Sequence, residues 1–292
     1  MNNMIRGISE NGGVVFYGVD SAELVRRMEQ IHKTSAVTSA ALGRLLTAAS
    51  MMGVMLKSES DSLTLRVQGN GPAGLLLAVA DGKGCVKGYV ENPCVDVPDR
   101  PDGKLNVGAA VGPDGTLSVV RDLGLKEPYV GQVPLVSGEI AEDITSYYAT
   151  SEQIPTVCAL GVLVSPDLTI ACAGGFILQL LPGASEEEIA RLEHNVASLP
   201  PITTLLQEGN DPEQIMQRVM DGFAPQVLDR HTVEYRCDCS QARVERALVS
   251  LGREELQRLH EEEPTVEVTC QFCDKVYSVD TGRLLREIAD NN

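Results

Sequence analysis

The chain has 292 residues, with 24 Lys and Arg against 41 Asp and Glu, for a formal net charge of −17. This much negative charge is repelled by phosphate backbones and argues against nucleic acid as the main partner. Trp is absent and aromatic residues make up 4% of the sequence, so a core must be built from Val, Leu, Ile, Ala and Met.

The length suits about two domains. The opening Met-Asn-Asn-Met-Ile-Arg lacks the charged-then-apolar layout of a signal peptide, so a cytoplasmic, reducing location is expected. There, paired cysteines more often bind metal or sense redox change than form permanent staples. Val14–Tyr17 reads as a strand, followed by a helix to about His32, with Asp20 as cap and Glu23 as its capping-box partner. Residues 36–56 are rich in Ala, Leu and Met and long enough to pass for a membrane span. Arg44, Gly43 and Gly53 interrupt the run, which favours a buried or amphipathic helix. From Ser62 the period becomes two, and strands are expected over 62–67, 75–80, 84–90, 105–111 and 116–121, separated by Gly- and Pro-rich turns. Gly69–Gly74 opens no helix and reads as a turn rather than a phosphate cradle. A helix is expected from Ser137 or Gly138 to about Ala149. Two apolar strands follow, over 156–164 and 169–180, turning at Ser165-Pro166-Asp167. The fold class is therefore α+β: an N-terminal mixed core domain with a largely antiparallel sheet over 1–183, a helical linker, and a small C-terminal zinc-binding domain.

The linker spans 184–231. Ser185 with Glu188 forms a capping box, and Ile189, Leu192, Val196 and Leu199 mark one helical stripe that Pro200-Pro201 stops. Asp211, Pro212 and Gly222 bracket a second helix carrying Ile215, Met216, Val219 and Met220. These stripes need something to lie against. The third unit, 232–292, begins with the strand-like Val233–Arg236. Ser240 can cap a helix towards Leu251-Gly252, and Arg253–Glu262 continues in helical style. Strands over 266–269 and 275–279 flank a second cysteine pair, and Asp280 caps a last helix. A unit this small buries little apolar surface.

The chemistry lies in four of the eight cysteines: Cys237-x-Cys239 and Cys270-x-x-Cys273. Thiolate sulfur is a good zinc ligand, and two such pairs complete a tetrahedral site for one Zn²⁺, although the first spacer is one residue shorter than usual. Zinc can supply roughly 10–16 kcal/mol of apparent binding energy to a small domain, so its removal is expected to loosen the unit. An accessible thiolate can pass through a sulfenic acid to a disulfide, and a disulfide sulfur is a poor ligand. A bridge between Cys237 and Cys239 would close a very short loop and be readily reduced. Spacing alone leaves a permanent zinc staple equally open. His231 and His260 are discounted as ligands because four thiolates already fill the site. Cys85, Cys94, Cys158 and Cys172 read as small core hydrophobes.

Three segments carry a resemblance. They are Tyr235-Arg-Cys-Asp-Cys-Ser240, Val268-Thr-Cys-Gln-Phe-Cys-Asp-Lys-Val-Tyr277 and Tyr147-Tyr-Ala-Thr-Ser-Glu-Gln-Ile-Pro155. With Gly69-Asn-Gly-Pro-Ala-Gly74 and the order of the three units, the whole chain resembles the heat-shock protein 33 family of redox-regulated bacterial chaperones. The resemblance implies an ATP-independent holdase rather than an enzyme, inactive when reduced and zinc-bound. It implies that oxidation under stress forms Cys237–Cys239 and Cys270–Cys273 disulfides, expels zinc, unfolds the zinc domain and linker, and yields a homodimer that binds unfolding or oxidatively damaged proteins. The two linker stripes are then candidate client-binding surfaces, with no membrane or nucleic-acid partner.

Two other readings compete. A thiol–disulfide oxidoreductase using Cys270 and Cys273 would need that pair at a helix start in a βαβ unit. A zinc-ribbon nucleic-acid binder is disfavoured by 8 Lys and Arg against 13 Asp and Glu from Thr232 onward.

Overall fold

The computed structural model describes residues 3–290, which separate into two compact units, 1–236 and 237–292. The first unit opens with the hairpin β1 (Asn3–Ile8) and β2 (Val14–Asp20), followed by α1 (Ala22–His32) and α2 (Ala36–Val54). Strands β3 (Ser62–Gln68), β4 (Leu75–Asp81) and β5 (Val86–Val90) form a meander, then come the short helix α3 (Val107–Val111), β6 (Thr116–Asp122) and β7 (Tyr129–Pro134). Helix α4 (Ala141–Tyr147) runs into a π-helical turn (Tyr148–Glu152) and the long hairpin β8 (Thr156–Val164) and β9 (Ile170–Leu180). Three helices, α5 (Glu186–Ser198), α6 (Ile202–Gln207) and α7 (Pro212–Val219), lead to β10 (Gln226–Thr232).

The expected antiparallel sheet is two sheets of five strands, ordered β10-β1-β2-β9-β8 and β5-β4-β3-β6-β7. Helix α2 packs on both of them. It is long and apolar enough to cross a membrane, but 89% of its most apolar stretch is buried inside the fold. Its one charge, Arg44, is paired with Glu139 at 2.6 Å.

The first sheet is apolar on both faces. Met4, Val15, Tyr17, Val19 and Ile177 join the core around α2, whereas Ile5, Val14, Phe16, Phe176 and Leu178 form a second core. Strand residues alternate between faces, so adjacent apolar positions on β1 and β2 must be covered from both sides. Helices α5, α6 and α7 cover the second face with Leu192, Ile202, Leu205, Ile215, Met216, Val219 and Met220. The approach is close: a Cβ added at Gly7 would overlap the Met216 sulfur, which would have to move aside.

Several sequence expectations need correction. Residues 107–111 are helical rather than a strand, because Asn106 caps Ala109 N–H and Val107, Ala110 and Val111 are buried at helical spacing. Helix α1 starts after Ser21, one residue later than expected, and Asp20 accepts the Ala22 N–H at 3.0 Å. Helix α4 starts at Ala141, not 137 or 138, because buried Asp143 gathers the backbone N–H groups of Val136, Ser137, Gly138 and Ile140 into a turn. Strands β1, β7 and β10 and helix α6 were not expected, and β10 gives the 184–231 stretch a strand as well as helices. The Gly69–Gly74 turn spends the Gly71 and Ala73 N–H groups on the Val111 and Ala110 carbonyls.

The second unit contains α8 (Gln241–Val249), α9 (Arg253–Glu262), the hairpin β11 (Thr265–Thr269) and β12 (Val276–Asp280), and α10 (Thr281–Asp290). Ser240 caps α8 and Asp280 caps α10, as expected. Its apolar core contains three fully buried side chains, Leu256, Val279 and Leu284.

The docking of the three helices is testable by Leu205→Ala, since Leu205 is fully buried between α6 and the first sheet. Urea unfolding of the reduced protein is expected to show a loss of about 2–5 kcal/mol. A loss below about 1 kcal/mol, typical of a surface change, would mean that this face needs no cover.

Candidate metal centre

Cys237 and Cys239 lie in the irregular stretch just before α8, half-buried on either side of exposed Asp238, so one intervening residue is enough to bring both sulfurs to the cluster. The second pair lies in the turn of the β11–β12 hairpin. The Cys270 N–H donates to Lys275 O at 2.9 Å, and the Cys273 and Asp274 N–H groups donate back to Cys270 O. This turn wraps both side chains onto one point. Asp274 completes it with φ +56°, a conformation that Asp tolerates better than most residues.

All four cysteines converge. Their sulfurs lie within 4.8 Å of one another, with Cys237–Cys270 at 3.7 Å and Cys239–Cys273 at 3.3 Å, and none is in a disulfide. A tetrahedral zinc with bonds of about 2.3 Å would hold its sulfurs about 3.8 Å apart, so the cage matches the size of that ion. Four soft donors in a closed set are the ligand class of a structural zinc. These two contacts run between the pairs, so both pairs close on one centre.

The charge on the cluster is unevenly shared. Burial and the hydrogens it shares with the other thiols push the Cys237 thiol up. Burial would also raise Cys239, but hydrogen bonds from Tyr277 and from the neighbouring thiols override it and lower that thiol to about 7. The Tyr277 hydroxyl donates to Cys239 Sγ at 3.0 Å, which pushes the phenol's own pKa up. Without a cation, negative charge is thus favoured on Cys239 over Cys237 and Cys273, whose thiols burial pushes up. A divalent cation would reverse this by favouring four thiolates. Tyr277 belongs to the second cysteine motif, but its role as a donor to Cys239 depends on a contact that spacing does not show.

The remaining candidates fall elsewhere. His260 bonds Thr281 Oγ1 at 2.9 Å, His231 pairs with Met4 across β10 and β1, and neither joins the cluster. Cys85 and Cys172 are buried and Cys158 is half-buried, its thiol pushed up by burial. Cys94 is a correction: it is exposed, next to the Lys33 carbonyl, because its Asn-Pro-Cys segment lies outside any strand. Of the two linker stripes, Leu192, Ile215, Met216, Val219 and Met220 are buried on the first sheet, while Ile189, Val196 and Leu199 are half-buried. The Cys270–Cys273 pair occupies a hairpin turn rather than a helix start.

Comparison with known proteins agrees with this architecture. The family model described as Hsp33 protein matches residues 2–280. The chain belongs to the Hsp33 family. The 33 kDa chaperonin of Clostridioides difficile (strain 630) is 51% identical over 282 residues, covering 97% of each chain. That of Alkaliphilus oremlandii (strain OhILAs) is 44% identical over 294 residues, covering 100% of this chain and 98% of its own. The crystal structure of the 33 kDa chaperonin (heat shock protein 33 homolog) of Thermotoga maritima superposes with a TM-score of 0.91 at 36% identity, covering 99% of both chains. Hsp33 is a family of chaperones, and the α+β architecture ending in a four-cysteine unit agrees with it.

Two outcomes follow from the cluster. In reduced, metal-free protein, Tyr277→Phe removes the donor that stabilises the Cys239 thiolate, so the midpoint of its alkylation by iodoacetamide should rise above about 7. Mass spectrometry across pH would read this, and an unchanged midpoint would contradict the assignment. A strong zinc chelator should abolish the amide-exchange protection of residues 241–290 and leave β3, β4 and β6 protected.

Proposed function

We propose that this Hsp33-family chain is a redox-switched, ATP-independent holdase, off when the four cysteines hold zinc and on when they are oxidised. One observation carries the reading. The four sulfurs converge in a unit whose apolar core has three fully buried side chains, so the cluster must supply much of that unit's folding energy. Cys237, Cys239, Cys270 and Cys273 would hold the ion, which when bound supplies charge neutralisation and a covalent-like crosslink.

Oxidation removes the ligands as ligands. Four thiolates forming the Cys237–Cys239 and Cys270–Cys273 disulfides give up four electrons. Two molecules of hydrogen peroxide accept these with four protons from solvent and become four waters. Each disulfide arises as one sulfur is oxidised to a sulfenic acid and its neighbour displaces hydroxide. The paired sulfurs then bind the ion poorly, and the unit loses the term that held it folded. Thiolate character favours this chemistry, and Cys239 has the lowered pKa of an attackable sulfur.

The client surface we assign to the linker over 184–231. Leu192, Ile215, Met216, Val219 and Met220 are buried on the second face of the first sheet with Val196 and Leu199 packed beside them, Ile189 is half-buried on α5, and the stripes become fully available only if α5 and α7 lift. Flexible Met suits contact with many sequences. Release would also expose Phe16, Phe176 and Leu178. The same reading includes a cytoplasmic location, homodimerisation of the active form, and clients that are unfolding or oxidatively damaged proteins.

Light scattering from an aggregating protein without ATP tests this. Peroxide-treated protein should suppress aggregation in step with zinc release, read by a chromogenic chelator, and reduced zinc-loaded protein should not. Zinc release without protection would reject the switch. Replacing Leu192 and Val219 with Asp should weaken protection by the oxidised protein several-fold, and undiminished protection would remove the stripes from the client surface.

A further inference from the structure

Residues 226–236, after the turn that ends α7, run along an edge of each sheet in turn. Residues 226–232 pair antiparallel with β1, the outer strand of the first sheet once β10 is set aside. The next four residues, Val233–Arg236, cross to β5, the edge strand of the second sheet, and make a parallel bridge at Val86 and Tyr235. The Val86 N–H donates to Glu234 O at 2.9 Å, and the Arg236 N–H donates to Val86 O at 2.7 Å.

One step further along β5, a side chain takes over from the backbone. The Tyr235 hydroxyl donates to Gly88 O at 2.7 Å and accepts the Gly88 N–H at 3.3 Å, with His32 Nε2 2.9 Å from the same carbonyl. A single phenol oxygen thus satisfies both groups that an added strand would otherwise pair. Val233 is buried against the main core, Glu234 is exposed, Tyr235 is half-buried beside His32 and Arg236 is exposed and paired with Asp81 at 2.6 Å. The edge therefore accepts an extended chain of aliphatic-x-aromatic pattern. Its holding contacts include the two backbone hydrogen bonds to Val86, the Tyr235 phenol on Gly88 and the Arg236–Asp81 ion pair, and its last residue adjoins Cys237.

We propose that the β5 edge is a client-binding site, occupied at rest by the chain's own Val233–Arg236 as a stand-in. When that segment leaves, the site takes an extended aliphatic-x-aromatic segment of an unfolded polypeptide as an added parallel strand. Open edge strands pair readily with extended chain, and the backbone supplies affinity while alternate side-chain pockets supply selectivity. The partner is the unfolded protein of the proposed function, on which this inference rests. The site is distinct from the apolar stripes of α5 and α7, because it reads backbone N–H and C=O groups rather than apolar area. A folded protein, whose strands are already paired, does not fit it.

The probe is a fluorescent peptide, His-Thr-Val-Glu-Tyr-Arg-amide, offered to full-length protein in reduced zinc-loaded form, in oxidised form, and as the reduced variant Tyr235→Ser, which loses the phenol. Binding by anisotropy should be about tenfold tighter to the oxidised protein and to the variant than to the reduced wild type, and about tenfold weaker for a peptide N-methylated at its arginine nitrogen. Exchange protection of the Val86 and Gly88 amides should fall on oxidation and return with the unmethylated peptide. Equal binding of both peptides overturns the proposal, as does no binding to either loosened form, or unchanged protection of Val86 and Gly88 in oxidised protein. Aggregation suppression measured on the same oxidised sample separates the two claims. If suppression persists while the peptide tests fail, only the edge site falls. If suppression is absent, the chaperone switch fails, and with it the client role of the edge.

Discussion

The constraint on which the larger unit depends is that its first sheet is apolar on both faces. Helix α2 satisfies one face, and the other, with Phe16 and Phe176 stacked at 5.5 Å, has to be covered by something. The chain meets this with its own residues 186–223, helices that are individually short and amphipathic and have no reason to persist away from the sheet. The cover is intramolecular and consists of separate short pieces joined by Pro and Gly breakers. In the proposed switch such a cover lifts while the sheets beneath it stay folded, which is the property a switchable binding surface needs.

The second unit has the opposite problem. It has too few apolar residues to need a cover and too few to hold itself together. Four sulfurs brought together by an irregular stretch and a hairpin turn compensate. Donors that favour a soft cation are also readily oxidised, so in the proposed switch the term that stabilises the unit is the one an oxidant removes. Tyr277 biases that chemistry towards Cys239 by donating to its sulfur. The first cysteine directly follows the segment 226–236, which closes an edge of each sheet in the larger unit.

The four-cysteine cluster and most of the helices were legible in the sequence, because these are local. Two cysteine pairs, the Ser185/Glu188 capping box, the Asp211 cap, and the breakers at Pro200-Pro201 and Gly222 act within a few residues of themselves. The hairpins β3–β4 and β8–β9 were legible for the same reason, since period-two alternation and a turn specify them without distant partners. The partition of the chain into two five-stranded sheets was not legible, because strand order depends on which edges meet across long separations. Strands β1 and β10 are the clearest example: each is short, and they pair across more than two hundred residues. Residues 105–111 misled because a short apolar run fits either period, and the Asn106 cap decided for helix. Tertiary structure alone decided that α2 is an interior helix, that the two stripes cover a sheet, and that Tyr235 and Tyr277 act on Gly88 and Cys239. The physical reason is that burial and side-chain hydrogen bonding are properties of what packs from elsewhere in the chain, whereas ligand softness, capping and turn chemistry are properties of the residues themselves.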